Sequence, residues 1–301
     1  MYDIMIVGAG PAGMTAALYA LRANKRVLLL EAKNYGGRIA AADKVENYPG
    51  IKSITGYEYA TNLYNQVKDM GAEFIFDAVL KITEDKKVYT KDHEYQAKAI
   101  IIATGSDNRK LNIEREVEFI GKGVSYCATC DGNFYKGKIV AVVGGGNTAV
   151  EDALYLSDIA SKVYLIHRRD EFRDETVDLE ELKRKDNVKI LINSNVVGLN
   201  GEDKLTSIDV NNDEEIINIP VDGLFIAVGS EPKNEMFRNV VDLNERGYIK
   251  SSNLHTKIAG IYVAGDTREK NLRQLTTAIS DGAIAATEAI KYIKDLGGKN
   301  G

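Results

Sequence analysis

Two glycine-rich turns constrain this chain more than any other feature, because each stands between an apolar strand and a helix. In the first, Tyr2-Asp3-Ile4-Met5-Ile6-Val7 reads as a buried parallel strand, Gly8-Ala9-Gly10-Pro11-Ala12-Gly13 as a phosphate turn, and Met14 to Ala23 as the helix that follows. The three glycines act differently. Gly8 allows the tight turn, Gly10 lets a pyrophosphate approach the backbone, and Gly13 lets the helix pack closely on the strand. The helix N-terminus then presents free N–H groups to phosphate. The next strand, Arg26 to Leu30, ends in Glu31, placed to hydrogen-bond the hydroxyls of an adenosine ribose. A second unit begins at Lys138, with a strand over Ile139 to Val143, the turn Gly144-Gly145-Gly146-Asn147-Thr148-Ala149, and a helix over Val150 to Ser157. Ala149 takes the third position, where a small side chain still permits close packing.

The two units differ in charge at the same structural position. After the strand Val163 to Ile166 the chain runs into His167-Arg168-Arg169-Asp170-Glu171-Phe172-Arg173. Three guanidiniums there can surround a 2′-phosphate through forked hydrogen bonds, and a carboxylate in their place would repel it. Glu31 therefore fits the unphosphorylated ribose of FAD, and the arginines fit NADPH. The plainer reading of a basic run is a solvated turn; its position directly after a nucleotide-binding strand argues for the phosphate instead.

Between the fingerprints lies SYCATCDG, whose Cys127 and Cys130 are the chain's only cysteines. Two intervening residues let the sulfurs reach bonding distance, and Asp131 follows as a carboxyl able to give or take a proton beside a sulfur. Zinc would need further ligands, and His93, His167 and His255 lack ligand spacing, so no metal is expected. A purely structural disulfide over so short a loop would remove little unfolded-state entropy. Reversible dithiol chemistry is the reading that remains.

The 301 residues are enough for two domains with their own cores. A net charge of −5 gives no electrostatic reason to bind nucleic acid or an anionic membrane. No apolar run approaches the roughly twenty residues that span a bilayer, and the N-terminus enters a strand at once, so a cytoplasmic protein is expected. The pattern predicts an α/β fold of two Rossmann-like, three-layer nucleotide-binding domains, the second inserted in the first. Residues 1–112 read as the first part of the FAD-binding domain, 113–243 as the NADPH-binding domain carrying the CxxC, and 244–301 as the second part of the FAD-binding domain. Ala278, Ile279, Ala283, Ile284 and Ala286 predict a broad buried face on the last helix.

Taken together, VGAGPAG, Glu46-Asn47-Tyr48-Pro49-Gly50, GVSYCATCDG, GGGNTA, HRRDEFR, and Ala264-Gly265-Asp266 followed by Arg273-Gln274 resemble the low-molecular-weight, bacterial-type thioredoxin reductases over essentially the whole chain. The resemblance implies a homodimeric FAD enzyme that uses NADPH to reduce thioredoxin. It assigns Gly36, Gly37, Arg38, Asn47, Thr104, Gly105, Gly265, Asp266, Arg273 and Gln274 to the flavin, with Asp266 on the ribitol or, more plainly, capping a helix. Where the family usually has a glutamine after its paired glycines, this chain has Arg38. The resemblance also makes Cys130 the flavin-facing sulfur, Cys127 the one that attacks the substrate disulfide, and Asp131 the proton donor and acceptor. A pair that must meet both a flavin and a protein implies rotation of the nicotinamide domain. The alternatives are a flavoprotein of the same fold reduced by ferredoxin or NADH, one that reduces a different protein disulfide, or a nucleotide sensor without turnover.

Overall fold

The computed structural model describes residues 1–301 apart from 43, 173–175, 214 and 299–301. In chain order its elements are β1 (Tyr2–Val7), α1 (Pro11–Arg22), β2 (Val27–Leu30), α2 (Gly56–Asp69), β3 (Glu73–Ile75), β4 (Lys81–Ile82), β5 (Lys87–Tyr89), β6 (Glu94–Ile102), β7 (Asp107–Asn108), β8 (Val124–Ser125), α3 (Ala128–Asp131), β9 (Ile139–Val143), α4 (Asn147–Ser157), β10 (Lys162–Ile166), α5 (Val177–Lys183), β11 (Val188–Leu191), β12 (Asn195–Asn200), β13 (Ser207–Asn211), β14 (Ile216–Pro220), β15 (Gly223–Ile226), β16 (Ser230–Glu231), β17 (Ile261–Val263) and α6 (Leu275–Gly298). The chain divides into two units, one of residues 1–107 with 231–301, the other of residues 108–230.

In the first unit the sheet runs β3-β2-β1-β6-β5-β4, and β17 joins β6. The pairs β1·β2, β1·β6, β2·β3 and β6·β17 are parallel; β4·β5 and β5·β6 are antiparallel. Successive side chains of β1 go to opposite faces, and both faces are covered. Ile4 and Ile6 pack with Met14, Ala16, Ala17 and the alanines of α6, whereas Met5 and Val7 pack with Ile82, Val88, Phe237 and Val240. Burial on both sides is why the strand reads as an uninterrupted apolar run.

The second unit repeats this logic with a different cover. Its five-stranded sheet, β11-β10-β9-β15-β8, is parallel throughout. Val140 and Val142 face α4 and α5, where Val150, Ala153 and Leu179 lie; Ala141 and Val143 face the antiparallel sheet β12-β13-β14 through Val196, Ile208 and Val210. Helices, parallel sheet and antiparallel sheet make three layers.

Both fingerprint helices begin earlier than the apolar periodicity suggests, at Pro11 rather than Met14 and at Asn147 rather than Val150. Proline is tolerated in a first turn because the N–H it lacks would have no intrahelical acceptor. The last turn residues of each motif are thus the first helical turn, whose N–H groups have no carbonyl of the helix to bond.

The second crossing also falls elsewhere than the sequence suggests. Residues 231–243 are expected with the nicotinamide domain, yet the chain returns to the first unit at Glu231, and the first crossing lies at Asp107/Asn108 rather than 112/113. Packing decides this: Phe237, Val240 and Val241 fill the core against β1 and β6. Asn234, 1% exposed, ties the returning segment down. Its Nδ2 donates to the carbonyls of Gly247 and Thr267, both at 3.0 Å, and its Oδ1 accepts from Thr267 Oγ1 at 2.7 Å and Thr104 Oγ1 at 3.3 Å. Among the described residues, no helix is long and apolar enough to cross a membrane, and no group of His, Cys, Asp and Glu could hold a metal.

Asn234→Ala leaves several buried partners unsatisfied at once, which costs about 2–3 kcal/mol. Urea unfolding followed by circular dichroism should show the first unit's transition at lower denaturant, and an unchanged midpoint would contradict the structural role given to Asn234.

Candidate active site

In the first unit, the turn after β1 is built as its glycines require. Gly8 adopts φ +109°, and a Cβ on Gly13 would lie 1.9 Å from the Gly8 carbonyl oxygen. Gly10 is different: a Cβ there would meet nothing within 4 Å, so the strand-to-helix turn opens onto free space at that point. Glu31, at the end of β2, closes the turn. Its Oε2 accepts from Ala9 N–H and its Oε1 from Lys33 N–H, each at 2.8 Å, which fixes the carboxylate while each oxygen keeps acceptor capacity for a ribose hydroxyl.

Of the other residues that the sequence assigns to a flavin, Gly36, Gly37 and Gly265 touch this turn. Gly36 N–H donates to the Ala9 carbonyl at 2.8 Å, and a Cβ on Gly37 would come within 3.3 Å of Gly10 Cα, so the paired glycines lie against the phosphate turn. Arg38 is exposed on the short helix Gly37–Ala41. Asn47 and Gln274 meet directly, Asn47 Nδ2 donating to Gln274 Oε1 at 3.2 Å. Thr104 and Gly105 follow β6, with the Thr104 hydroxyl 2.9 Å from that of Thr267. Arg273 donates to the carbonyls of Asp266 and Arg268 at 3.5 and 3.3 Å and stacks 4.1 Å over the Tyr248 ring, so it braces the loop that carries Asp266.

Asp266 itself is the telling residue. Its Oδ1 is buried and has no hydrogen-bond partner among the described residues, although Lys270 Nζ lies 3.6 Å away. A buried carboxylate oxygen without a donor costs free energy unless a ligand hydroxyl supplies one. Together with the open space at Gly10, this fits a dinucleotide with a hydroxylated chain.

Sequence reasoning misses Asp281. It lies on the buried face of α6, its Oδ2 accepting from Gly265 N–H at 3.0 Å, Arg268 Nε at 2.9 Å and Lys270 Nζ at 3.1 Å, while its Oδ1 accepts from Arg268 Nη2 at 2.9 Å. Burial works against the charge, but the forked Arg268 bond and the Lys270 ammonium outweigh it and hold the carboxyl below the ordinary range. A lone carboxylate spaced with Ala278, Ala285 and Ala289 is the available signal. The face itself is narrower than expected: Ile284 is 48% exposed, on the other side of the helix from Ala278, Ala285 and Ala289.

In the second unit, the turn after β9 repeats the design. A Cβ on Gly144 would lie 2.5 Å from the Ala227 carbonyl oxygen and 2.7 Å from Ala149 Cβ, whereas one on Gly146 would meet nothing within 4 Å. Asn147 and Thr148 are exposed at the start of α4, and Ala149 is buried. Arg168 and Arg169 are exposed directly after β10; Arg173, with the acidic Asp174 and Glu175, lies outside the described residues. His167 is 8% exposed. Its Nε2 donates to the Glu171 carbonyl at 2.9 Å, its ring stacks on Phe172, and a Cβ on Gly145 would collide with that ring. The histidine therefore supports the turn from beneath.

Cys127 and Cys130 are joined as a disulfide with Cα atoms 5.3 Å apart, both half-buried, at the start and within α3. The N–H groups of Cys130 and Asp131 donate to the Cys127 carbonyl at 3.2 and 3.1 Å. Ser125, on β8, reaches both sides of the motif: Oγ donates to Asp131 Oδ2 at 2.6 Å and accepts from Cys127 N–H at 3.1 Å. Tyr126 OH donates to Glu116 Oε1 at 2.5 Å, and burial and that bond push the phenol's pKa up.

Comparison with known proteins places these features in a family. Residues 2–282 match the family described as pyridine nucleotide-disulphide oxidoreductase. The chain is 41% identical over 304 residues to the thioredoxin reductase of Bacillus subtilis, covering 98% of this chain and 96% of that protein. It is 43% identical over 293 residues to that of Mycoplasma genitalium, covering 95% and 93%. Among solved structures, the thioredoxin reductase of Streptococcus pyogenes superposes with a TM-score of 0.94 at 39% identity, covering 98% of this chain and 99% of that one.

The lowered pKa of Asp281 carries a pH signature. Its stabilising contribution is complete above the unfolded-state value of about 3.9 and is lost as pH falls through the lower folded value. Asp281→Asn takes from half-buried Arg268 its anion and leaves Lys270 only the more distant Asp266, which at pH 7 costs about 2–3 kcal/mol. Urea midpoints should differ widely between wild type and variant at neutral pH and converge below the ordinary carboxylate range; a difference independent of pH would contradict the assignment.

Proposed function

The chain belongs to the pyridine nucleotide-disulphide oxidoreductase family, and we propose that it reduces the disulfide of thioredoxin with electrons from NADPH, through FAD and the Cys127–Cys130 pair. The observation that carries this reading is the disulfide itself: the chain's two cysteines are bonded to each other in a motif that also holds Asp131. A bound flavin supplies the two-electron store between a nicotinamide and a disulfide.

The residues of this chain supply the rest. Gly10 and the first turn of α1 receive the pyrophosphate of FAD, Glu31 the ribose, and Asp266 a ribitol hydroxyl through the oxygen that lacks a donor. In the second unit, Gly146 and the start of α4 receive the pyrophosphate of NADPH, while Arg168 and Arg169 stand after β10 to take the 2′-phosphate; Arg173 is part of the same proposal. Once the pair is reduced, Asp131 takes the proton of Cys127, whose thiolate attacks a sulfur of the substrate disulfide. That bond breaks, a mixed disulfide forms, and the leaving sulfur takes the proton back from Asp131. Attack by Cys130 then closes the enzyme disulfide and releases the second thiol.

Within this reading Cys130 is the flavin-facing sulfur, and the working unit is a homodimer in the cytoplasm. Support for dimerisation comes from exposed apolar side chains on the first unit, Leu272 at 55% and Ile284 at 48%.

Cys127→Ser should leave flavin reduction by NADPH intact and abolish transfer to thioredoxin, because the chain has no third cysteine to restore exchange. Near-wild-type thioredoxin turnover by that variant would refute the assignment. Replacing Arg168 and Arg169 by Ala should raise the NADPH Michaelis constant by roughly two orders of magnitude and leave that for NADH nearly unchanged, since each charge-assisted bond contributes about 1.5–3 kcal/mol and neighbours add incompletely. Equal constants for the two nicotinamides in the wild type would show that the arginines form a solvated turn.

A further inference from the structure

We propose that Ser125 is a positioning residue for proton transfer at the dithiol, holding Asp131 ionised and fixing it to the backbone of Cys127. This rests on the reading of Asp131 as the proton donor and acceptor. Ser125 suits that role because it is itself held in place. It is 5% exposed and lies on β8, which pairs with β15 through Val124 with Leu224 and Ser125 with Phe225. Its hydroxyl has one proton to give. The 2.6 Å contact to Asp131 Oδ2 is in the range of a charge-assisted O–H···O⁻ bond, whereas the alternative acceptor, the Cys127 carbonyl, is 3.4 Å away. With the proton committed to Asp131, the lone pairs accept Cys127 N–H at 3.1 Å. One buried oxygen thus joins the peptide of the attacking cysteine to the carboxylate that exchanges its proton.

The segment is held from the other side as well. Tyr126 follows Ser125, and its hydroxyl bonds Glu116, a carboxylate 2% exposed whose oxygens also accept the N–H groups of Leu111 and Asn112 at 3.1 and 2.8 Å. Ser125 and Tyr126 therefore enter the CxxC from hydrogen-bonded positions, and Asp131 is oriented with respect to that backbone.

The chemical consequence follows from the direction of the bond. A donor to the ionised carboxylate stabilises that form and keeps the carboxyl pKa down. During exchange Asp131 receives the proton of Cys127 and returns it to the leaving sulfur, so the group must be ionised before attack and protonated only within the reaction. Without Ser125 the carboxyl holds its proton more tightly, and the pH at which it becomes available as a base rises. A role in packing alone would lower the rate by the same factor at every pH.

The test uses the FAD-loaded protein, reduced anaerobically and mixed in single turnover with 2-hydroxyethyl disulfide, a small dialkyl disulfide whose leaving thiolate needs a proton. Rates are measured from about pH 3 to 9, a range that covers the low-lying carboxylate limb as well as the thiol titration. Asp131→Asn identifies the limb of the profile that Asp131 governs, because that limb disappears. Ser125→Ala should retain the limb displaced upward by about one pH unit, the shift expected from losing one hydrogen bond to a charged group. Ser125→Thr, which keeps a hydroxyl, should return it toward the wild-type position. A Ser125→Ala profile lowered uniformly with its limb in place, or displaced downward, overturns the role of Ser125 and leaves Asp131 as the acid and base. A wild-type profile in Asp131→Asn overturns that reading, and with it the present one.

Discussion

Each nucleotide turn depends on a helix that comes close to its strand because a glycine stands at the point of contact. In the first unit the Gly13 Cα faces the Gly8 carbonyl so closely that any Cβ would overlap it; in the second a Cβ on Gly144 would lie 2.7 Å from the Cβ of Ala149 on α4, so the bare glycine again lets the helix approach. This approach aims the unpaired N–H groups of α1 and α4 at the mouth of each turn, where Gly10 and Gly146 leave open space. A second close contact extends the design in the first unit. A Cβ on Gly282 would lie 2.2 Å from the Ala12 carbonyl oxygen, so α6 packs directly on α1. That packing brings Asp281 under the loop of Gly265 and Asp266, where it gathers Gly265 N–H, Arg268 and Lys270. Asp281 thereby holds the loop, and Asp266 keeps an oxygen without a donor.

Much of this is legible in the sequence, for physical reasons that also explain what is not. A strand buried on both faces is an unbroken apolar run, and a turn that must admit phosphate is spelled in glycine, so β1, β9 and both turns can be read directly. The helix starts are read late because apolar periodicity says nothing about a first turn made of small and polar residues. The return of the chain to the first unit reads as falling at residue 244 because the apolar residues of 231–243, among them Met236, Phe237, Val240, Val241 and Leu243, follow neither a strand nor a long-helix pattern. Three of those apolar residues nevertheless fill a core, and Asn234 satisfies four partners there. Asn234 carries no local signature, since its partners are distant in sequence, and Asp281 shows only as a carboxylate on an otherwise apolar helix face, with nothing local to name its partners. His167 shows the converse: a residue adjacent to the arginines by sequence, and beneath the glycine turn in space.

The site in the second unit is legible in its reactive atoms more than in their support. Cys127, Cys130 and Asp131 announce themselves by spacing, whereas Ser125 and Glu116 are ordinary residues in a sequence. Only the fold shows that the serine hydroxyl joins Cys127 to Asp131 and that a nearly inaccessible glutamate holds the intervening tyrosine. Both lie upstream of the motif, one on a strand and the other in the segment that leads to it, so the geometry of the dithiol is set by the sheet as well as by the short helix that carries it.

In the proposed route, electrons that enter from NADPH end as two thiols on this chain. The most direct measurement is anaerobic stopped-flow mixing of the oxidised, FAD-loaded protein with NADPH, NADH and a reduced ferredoxin in turn, following the flavin absorbance and titrating thiols as the reaction ends. The expected result is rapid bleaching with NADPH, slower bleaching with NADH, and the appearance of both cysteines as free thiols when NADPH is the donor. Reduction by ferredoxin alone, or bleaching by NADPH without new thiols, would contradict it.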